Sequence, residues 1–451
     1  MKMKKRLLTL LAGLCACFMG ATIFTACQNG QATTQTNQQE SIGLEYTLNN
    51  DENSYILTGI GTCKDTKIVI PATYNDKNVT DIAGEAFKGC DNVTDVVIPD
   101  TIISIGDSAF EETRYYNKEE NWDNGVLYIG KHLIKAKTSL SGSYRIKEGT
   151  ICLASSAFYE CSSLMEVAIP NSVVSISSGA FWGCKSLKNV VIPDSVVSIG
   201  SWAFHYCDSL TDIVIPDSVV SLGGAVFDSC KNLTSVVIGD GATSIGGKAF
   251  YNCSNLKTVK IGNSVKTIET EAFAQCYNLT SLEIGSSVNF IGMEAFLYCN
   301  NLQDVYITDL AAWCNIQFRE NPLSLAKNLY LNGQLVSELI IPKTVKEISA
   351  RAFRSYENLT SVVIPVDVLV IREDAFEYCK NLTSVYYEGT PEDWGKVRIG
   401  IMNQKLNNAT RYYYSENPPA LNEQGTAYDG NYWHYGENGE IIVWLYDSLE
   451  N

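Results

Sequence analysis

Leu210-Thr-Asp-Ile213-Val-Ile215-Pro216-Asp-Ser-Val219-Val-Ser-Leu222-Gly223, closed by Phe227 and Cys230, is one turn of a pattern that fills most of this 451-residue chain. Ile213 and Ile215 alternate with Val214, the period-two mark of a strand with one face inward. Pro216 has no N–H to give to a ladder and ends that strand. Val219, Leu222, Phe227 and Cys230 then follow at short steps, which fit a return wall of turns or short 3-10 helix.

The pattern is periodic. Phe158, Phe181, Phe204, Phe227, Phe250, Phe273 and Phe296 recur every 23 residues without slippage, with Phe87 and Phe110 before them and Phe353 and Phe376 after. Three residues beyond most of them stands a cysteine: Cys90, Cys161, Cys184, Cys207, Cys230, Cys253, Cys276, Cys299 and Cys379, with Thr113 and Tyr356 in the two remaining places. A lone 23-residue coil cannot bury its apolar edge, whereas a stack can. The expected fold is therefore a repeat solenoid. Parallel strands line one face about 4.8 Å apart, turns or short 3-10 helices line the other, and Phe sits over Phe and Cys over Cys.

Two stretches break the period. Phe110 to Phe158 spans 48 residues and Phe296 to Phe353 spans 57, so insertions fall at about 112–143 and 308–336. The first reads as a hairpin turning at Gly130-Lys131, the second as a short helix around Trp313 and a hairpin at Asn332-Gly333. Both are expected to be outward excursions. Their aromatics, Tyr115, Tyr116, Trp122, Trp313 and Phe318, with His132 beside those of the first, suit either a binding platform or packing onto the solenoid. Residues 42–86 are expected to hold an N-terminal hairpin cap and the first coil, 87–390 the solenoid, and 391–451 an extension with a hairpin at Asn438-Gly439.

The string Ile192-Pro193-Asp-Ser-Val-Val-Ser-Ile-Gly200-Ser-Trp-Ala-Phe204-His-Tyr-Cys207 resembles the repeat of the BspA-like leucine-rich repeat proteins of bacterial surfaces. The resemblance covers about residues 60–390. It implies a surface or secreted protein that adheres to matrix proteins and other cells.

The N-terminus agrees with that setting. A cationic start and an apolar run from Leu7 to Phe24 have the layout of an export signal. Phe24-Thr25-Ala26-Cys27 resembles the lipobox of bacterial lipoproteins, with Phe24 in place of the commoner Leu, and implies cleavage after residue 26 and lipidation of Cys27. An uncleaved apolar anchor is the other reading. Residues 27–41 are polar and read as a flexible tether. Residues 1–26 hold four cations and no acid, so their removal takes the net charge from −16 to −20. Such a surface repels phosphate backbones, so nucleic acid is not an expected partner.

Little in the sequence suggests chemistry. One cysteine per coil makes a line, not the convergent ligand set that zinc needs. Disulfides between stacked coils are conceivable in an exported chain. A buried, reduced column is the favoured reading for Cys184, Cys207, Cys230, Cys253 and Cys276, beneath Phe181, Phe204, Phe227, Phe250 and Phe273. His132, His205 and His434 lie far apart in sequence, and no nucleophile elbow or phosphate loop appears. No catalysis, cofactor, metal or small-molecule substrate is expected.

Function is expected on the outward positions of the face strands. These are Val97, Ala168, Val191, Val214, Val237, Lys260, Glu283, Tyr306, Ile340, Val363 and Tyr386. Stacking turns them into a stripe, apolar over the early coils, charged at Lys260 and Glu283, then aromatic. An exposed apolar stripe marks a partner site, although valine suits any strand. The expected role is non-enzymatic adhesion to an extracellular protein or cell-surface polymer, from a lipid-anchored position outside the bacterial membrane. A structural spacer or a glycan-binding module is the alternative.

Overall fold

The computed structural model describes residues 39–446; Cys27, the export segment and most of the tether lie outside the described residues. The chain divides into two compact units, Met1–Thr211 with Ser218–Cys230, and Asp212–Asp217 with Lys231–Asn451. Each unit is a stack of coils.

In the first unit Glu45–Leu48 pairs antiparallel with Ser54–Gly59, and Lys77–Ile82 adds to that hairpin in parallel. Face strands follow in parallel register, Lys67–Val69 with Asp95–Val97, and Gly142–Arg145 with Leu164–Ala168 and Asn189–Val190. In the second unit Ile213, Val236, Val259, Leu282, Val305 and Leu329 stand in one register line, each on its own parallel strand. All six are buried. Glu338–Ile340, Ser361–Ile364, Ser384–Tyr387 and Thr410–Tyr414 form a further parallel sheet, which Tyr432–Tyr435 and Ile441–Val443 close as a hairpin.

The return wall holds more than turns. It carries a second parallel ladder of two-residue strands, Cys152–Leu153, Ser175–Ile176, Ser198–Ile199 and Ser221–Leu222 in the first unit. Ser244–Ile245, Thr267–Ile268 and Phe290–Ile291 do the same in the second. The β-branched Ile that recurs in these pairs favours extended backbone. Among the described residues, 3-10 helix occurs only at Glu119–Asn121 and Pro322–Ser324, both within the insertions.

The corner that carries each phenylalanine has a fixed backbone. Two residues before and two after every ladder Phe, φ is positive: Ser156 and Glu160 around Phe158, Gly179 and Gly183 around Phe181, Trp202 and Tyr206 around Phe204, and so on through Asp374 and Tyr378 around Phe376. Such left-handed residues cost roughly 1–2 kcal/mol each when they carry a Cβ. Coil-to-coil hydrogen bonds offset that cost: Phe158 N–H donates to the Ala180 carbonyl at 2.6 Å and Phe181 N–H to Ala203 at 2.7 Å. Phe273 donates to Ala295 at 2.8 Å in the second unit.

Inside the corner the rings lie nearly parallel. Phe158, Phe181, Phe204 and Phe227 stack with centroids 5.0, 5.1 and 5.2 Å apart. Phe250, Phe273 and Phe296 repeat this at 5.1 and 5.5 Å. The spacing is that of parallel strands, so within each unit the period of the sequence becomes a column of rings.

The two insertions are not outward excursions. Val126–Ile129 and His132–Ala136 form the hairpin at Gly130-Lys131, but His132–Ala136 pairs in parallel with Cys152–Leu153 and belongs to the return wall. All four residues of Val126–Ile129 are buried. In 308–336, Asn328–Leu331 pairs in parallel with Asp304–Ile307, and Gln317–Phe318 pairs with Phe290–Ile291. This is a complete coil with the helix Leu310–Cys314 in its turn, and it lacks the Phe and Cys that mark the others. The helix Pro391–Trp394 and the pairing of Arg398–Ile399 with Val370–Ile371 make a second coil of that kind.

Candidate functional site

The face strands place the outward side chains as follows. In the first unit Val97 is half-buried, whereas Val191 is 79% exposed. In the second, Val214, Val237, Lys260, Glu283, Tyr306 and Tyr330 occupy one register line. Val214 is 59% exposed and Val237 half-buried. Lys260 and Glu283 pair at 2.8 Å, and the Tyr306 ring stacks on Tyr330 at 4.7 Å.

One outward position fails. Val363 is only 2% exposed, and Ser361 beside it is buried too. In register it lies between Ile340 and Tyr386, both larger side chains. The Tyr386 ring stacks on Tyr412 and meets Trp433 edge-on. Alternation along a strand tells which face a residue occupies, but not whether neighbours close over it.

The insertion aromatics pack rather than project. Trp313 and Phe318 are buried, and Trp313 Nε1 donates to the Ala352 carbonyl at 2.9 Å. Tyr115 Oη donates to the Tyr128 carbonyl at 3.0 Å, and Trp122 Nε1 to the Tyr116 carbonyl at 2.7 Å.

The cysteine column has a structural task that spacing alone does not reveal. Cys184, Cys207 and Cys230 Sγ donate to the carbonyls of Phe158, Phe181 and Phe204 at 3.2, 3.2 and 3.1 Å. Cys276, Cys299 and Cys379 do the same for Phe250, Phe273 and Phe353. Each thiol adds a second donor to a buried carbonyl of the preceding coil, which already accepts the backbone N–H three residues on. Cys253 is buried in the same column. The twelve described cysteines are free thiols. Burial pushes Cys161 to about 11 and Cys152 and Cys379 to about 12, and holds Cys184, Cys207 and Cys276 well above the ordinary range. Thiolate, the reactive form, is thus suppressed. Burial raises Cys90 as well, but as the one half-buried thiol of the described set it is the accessible one, and a thiol reagent at pH 8 is expected to label it ahead of the column, in a phase that Cys90→Ser removes. The column should react only on unfolding. Rapid native labelling of Cys207 would contradict this packing.

Among the described residues no three His, Cys, Asp or Glu side chains gather closely enough to hold a metal ion. No helix there is long and apolar enough to cross a membrane. His205 Nδ1 lies 3.1 Å from the Asp228 carbonyl and 3.5 Å from its carboxylate, against the edge of Trp182. Burial lowers its pKa.

Sequence reasoning missed the residues around it. Tyr159, Trp182 and His205 each follow a ladder Phe by one residue, and Trp202 and Tyr206 fill the two left-handed positions of the Phe204 corner. The 23-residue register that exposed the inner column would have aligned Tyr159, Trp182 and His205, but not Trp202 and Tyr206, which align with Gly179 and Gly183.

A family model described as the BspA type leucine rich repeat region, in six copies, matches residues 61–148, 150–240, 222–312 and 308–396. No curated protein matches the chain. Among solved structures, a leucine-rich repeat protein from Bacteroides ovatus is similar at 21% identity, covering 84% of this chain and 100% of its own, with a TM-score of 0.35. A leucine rich cell surface protein from Faecalibacterium prausnitzii is similar at 25% identity, covering 82% and 98%, with a TM-score of 0.27. The pneumococcal vaccine antigen PcpA is similar at 16% identity, covering 77% and 82%, also at 0.27. At these TM-scores the superpositions add nothing to what strand register already shows.

Proposed function

Because the chain belongs to the BspA-type leucine-rich repeat family, we propose that it is a non-enzymatic adhesion scaffold of the bacterial surface, tethered by a lipid on Cys27. Its repeat surface captures an extracellular protein or a cell-surface polymer. The observation that supports this is the openness of the apolar face positions, Val191 at 79% and Val214 at 59%. Valine on a solvated strand face gains nothing from burial until a partner covers it. The family and fold are those of binding scaffolds, and the titratable groups described above are spent on packing and coil-to-coil bonding.

The test is capture by the immobilised mature chain from a panel of matrix proteins, glycans and bacterial surfaces. Changing Val191, Val214 and Val237 together to Ser is expected to lower capture at least tenfold while the circular dichroism spectrum stays unchanged. Each side chain loses roughly 1 kcal/mol or more of apolar burial at the contact. Capture of nothing would leave a structural spacer as the better reading, and capture that the triple variant retains would place the binding elsewhere than on the valine face.

A further inference from the structure

A row of aromatic rings lies on the outer side of the phenylalanine corners of the first unit. Tyr159 and Trp182 are 5.9 Å apart, and Trp182 and Trp202 are 6.3 Å apart. Trp182 also meets His205 edge-on at 4.6 Å, and His205 leans on Tyr206 at 4.0 Å. Tyr159, Trp202 and Tyr206 are among the exposed large apolar side chains of the molecule, Trp202 at 47%. The row has a rigid base, because Glu160 N–H donates to the Trp182 carbonyl at 2.8 Å and Gly183 N–H to the His205 carbonyl at 2.8 Å. Beneath it runs the stacked column of Phe158, Phe181 and Phe204.

Two features point beyond packing. Trp202 and Tyr206 sit at φ of 57° and 56°, where the preceding coil has Gly179 and Gly183 and the next has Ala225 and Ser229. The repeat itself fixes this backbone, so two bulky rings are carried outward on a set turn, Trp202 at 47% and Tyr206 at 41% exposed. The rings are also interleaved with polar groups. The Glu160 carboxylate lies over Gly183, close enough that a Cβ there would meet it at 2.9 Å, and the Lys135 ammonium stands 5.8 Å from the Tyr159 centroid.

We propose that this row binds a neutral polysaccharide. The electron-rich ring faces attract the C–H faces of pyranose rings, and the carboxylate and ammonium are partners for sugar hydroxyls. The rings stand 5.9 and 6.3 Å apart and are tilted by 55° and 37° to one another, so they suit a chain that twists along its length rather than a flat ribbon. A net charge of −16 disfavours acidic polymers. A protein partner would call for a broad desolvated patch, whereas these rings form a line with polar gaps. The proposal does not rest on the valine stripe, which lies on the face strands.

The test is affinity electrophoresis of the mature chain in gels carrying a soluble β-glucan, glycogen or a mannan, with hyaluronan as a polyanionic arm and capture on casein beads as a protein arm. Retardation is expected in at least one neutral gel and not in hyaluronan. The double variant Trp202→Gly, Tyr206→Gly reproduces the glycine pair of the preceding coil and relieves strain, so its unfolding midpoint should not fall. Its affinity for the polysaccharide should drop at least tenfold, and Met293→Ser, at an exposed apolar side chain of the second unit, should leave that affinity unchanged. Absence of retardation in all three neutral gels, retardation that the double variant keeps, or ring-dependent capture on casein instead would overturn the proposal.

Discussion

Phe204→Ala is expected to lower the unfolding free energy by about 3–5 kcal/mol, the cost of truncating a fully buried aromatic in a site that cannot collapse. The site cannot collapse because the Phe204 ring is held between Phe181 at 5.1 Å and Phe227 at 5.2 Å, both nearly parallel to it. The backbone on either side is fixed by the 2.7 Å bond from Phe181 N–H to Ala203 and the 2.8 Å bond from Phe204 N–H to Val226. Removing the ring also uncovers Cys230 Sγ and the Phe204 carbonyl it bonds, a buried polar pair that loses its apolar surround. Urea unfolding followed by tryptophan fluorescence reads the change, because Trp182 and Trp202 lie on the same corners. Phe204→Leu keeps most of the volume and should lose markedly less. A loss under 1 kcal/mol for Phe204→Ala would mean that the column is not a shared anchor. The contrast with Trp202→Gly is informative: two residues away, a ring of greater size should be removable without cost.

That contrast marks what could be read from the chain and what could not. Phenylalanine and cysteine at a strict 23-residue step fixed the coil, the inner column and the parallel face, because identical residues at identical register must stack. The left-handed corners stayed hidden because no residue type marks them. Glycine fills both positions around Phe181, but Ser156, Trp202, Lys248 and Arg351 occupy the same kind of site elsewhere. The coil at Asp304–Leu331 reads in the sequence as an interruption, and the second half of the coil at Ser384–Tyr414 as a terminal extension, because both replace the marker residues. Trp313 is their core ring in the first case, and Asn321 and Asn403 bond the backbone where other coils use turns. For the candidate faces, strand alternation separated Val214 from Ile213, yet it could not foresee that Val363 would be covered. Tyr159, Trp182 and His205 follow from the same period, read as the column after each phenylalanine, but Trp202 and Tyr206 stand at the left-handed positions that no residue type marks.

Acid should destabilise the first unit through His132. This imidazole is fully buried in the return wall, on the strand His132–Ala136, and neither ring nitrogen makes a hydrogen bond. Burial lowers its pKa from 6.5 to about 4. Asp100 and the nearby Pro99 carbonyl pull it back up a little, and Lys131 pushes it further down. The folded chain therefore holds His132 neutral where the unfolded chain would protonate it. Between pH 6.5 and about 4 the unfolded state binds the extra proton, so stability falls as pH falls through that window and is unaffected above it. The span corresponds to about 3 kcal/mol, of which most is lost by pH 4.5. Carboxylates elsewhere begin to titrate in the same range, so the comparison must be made against a variant. His132→Phe keeps an aromatic ring in the apolar wall and has nothing to protonate. Urea midpoints at pH 7 and pH 4.5 should show the original chain losing about 2–3 kcal/mol more than His132→Phe. Equal losses in the two proteins would mean that a proton reaches His132 without unfolding the wall, and that the hairpin at Gly130-Lys131 opens on its own.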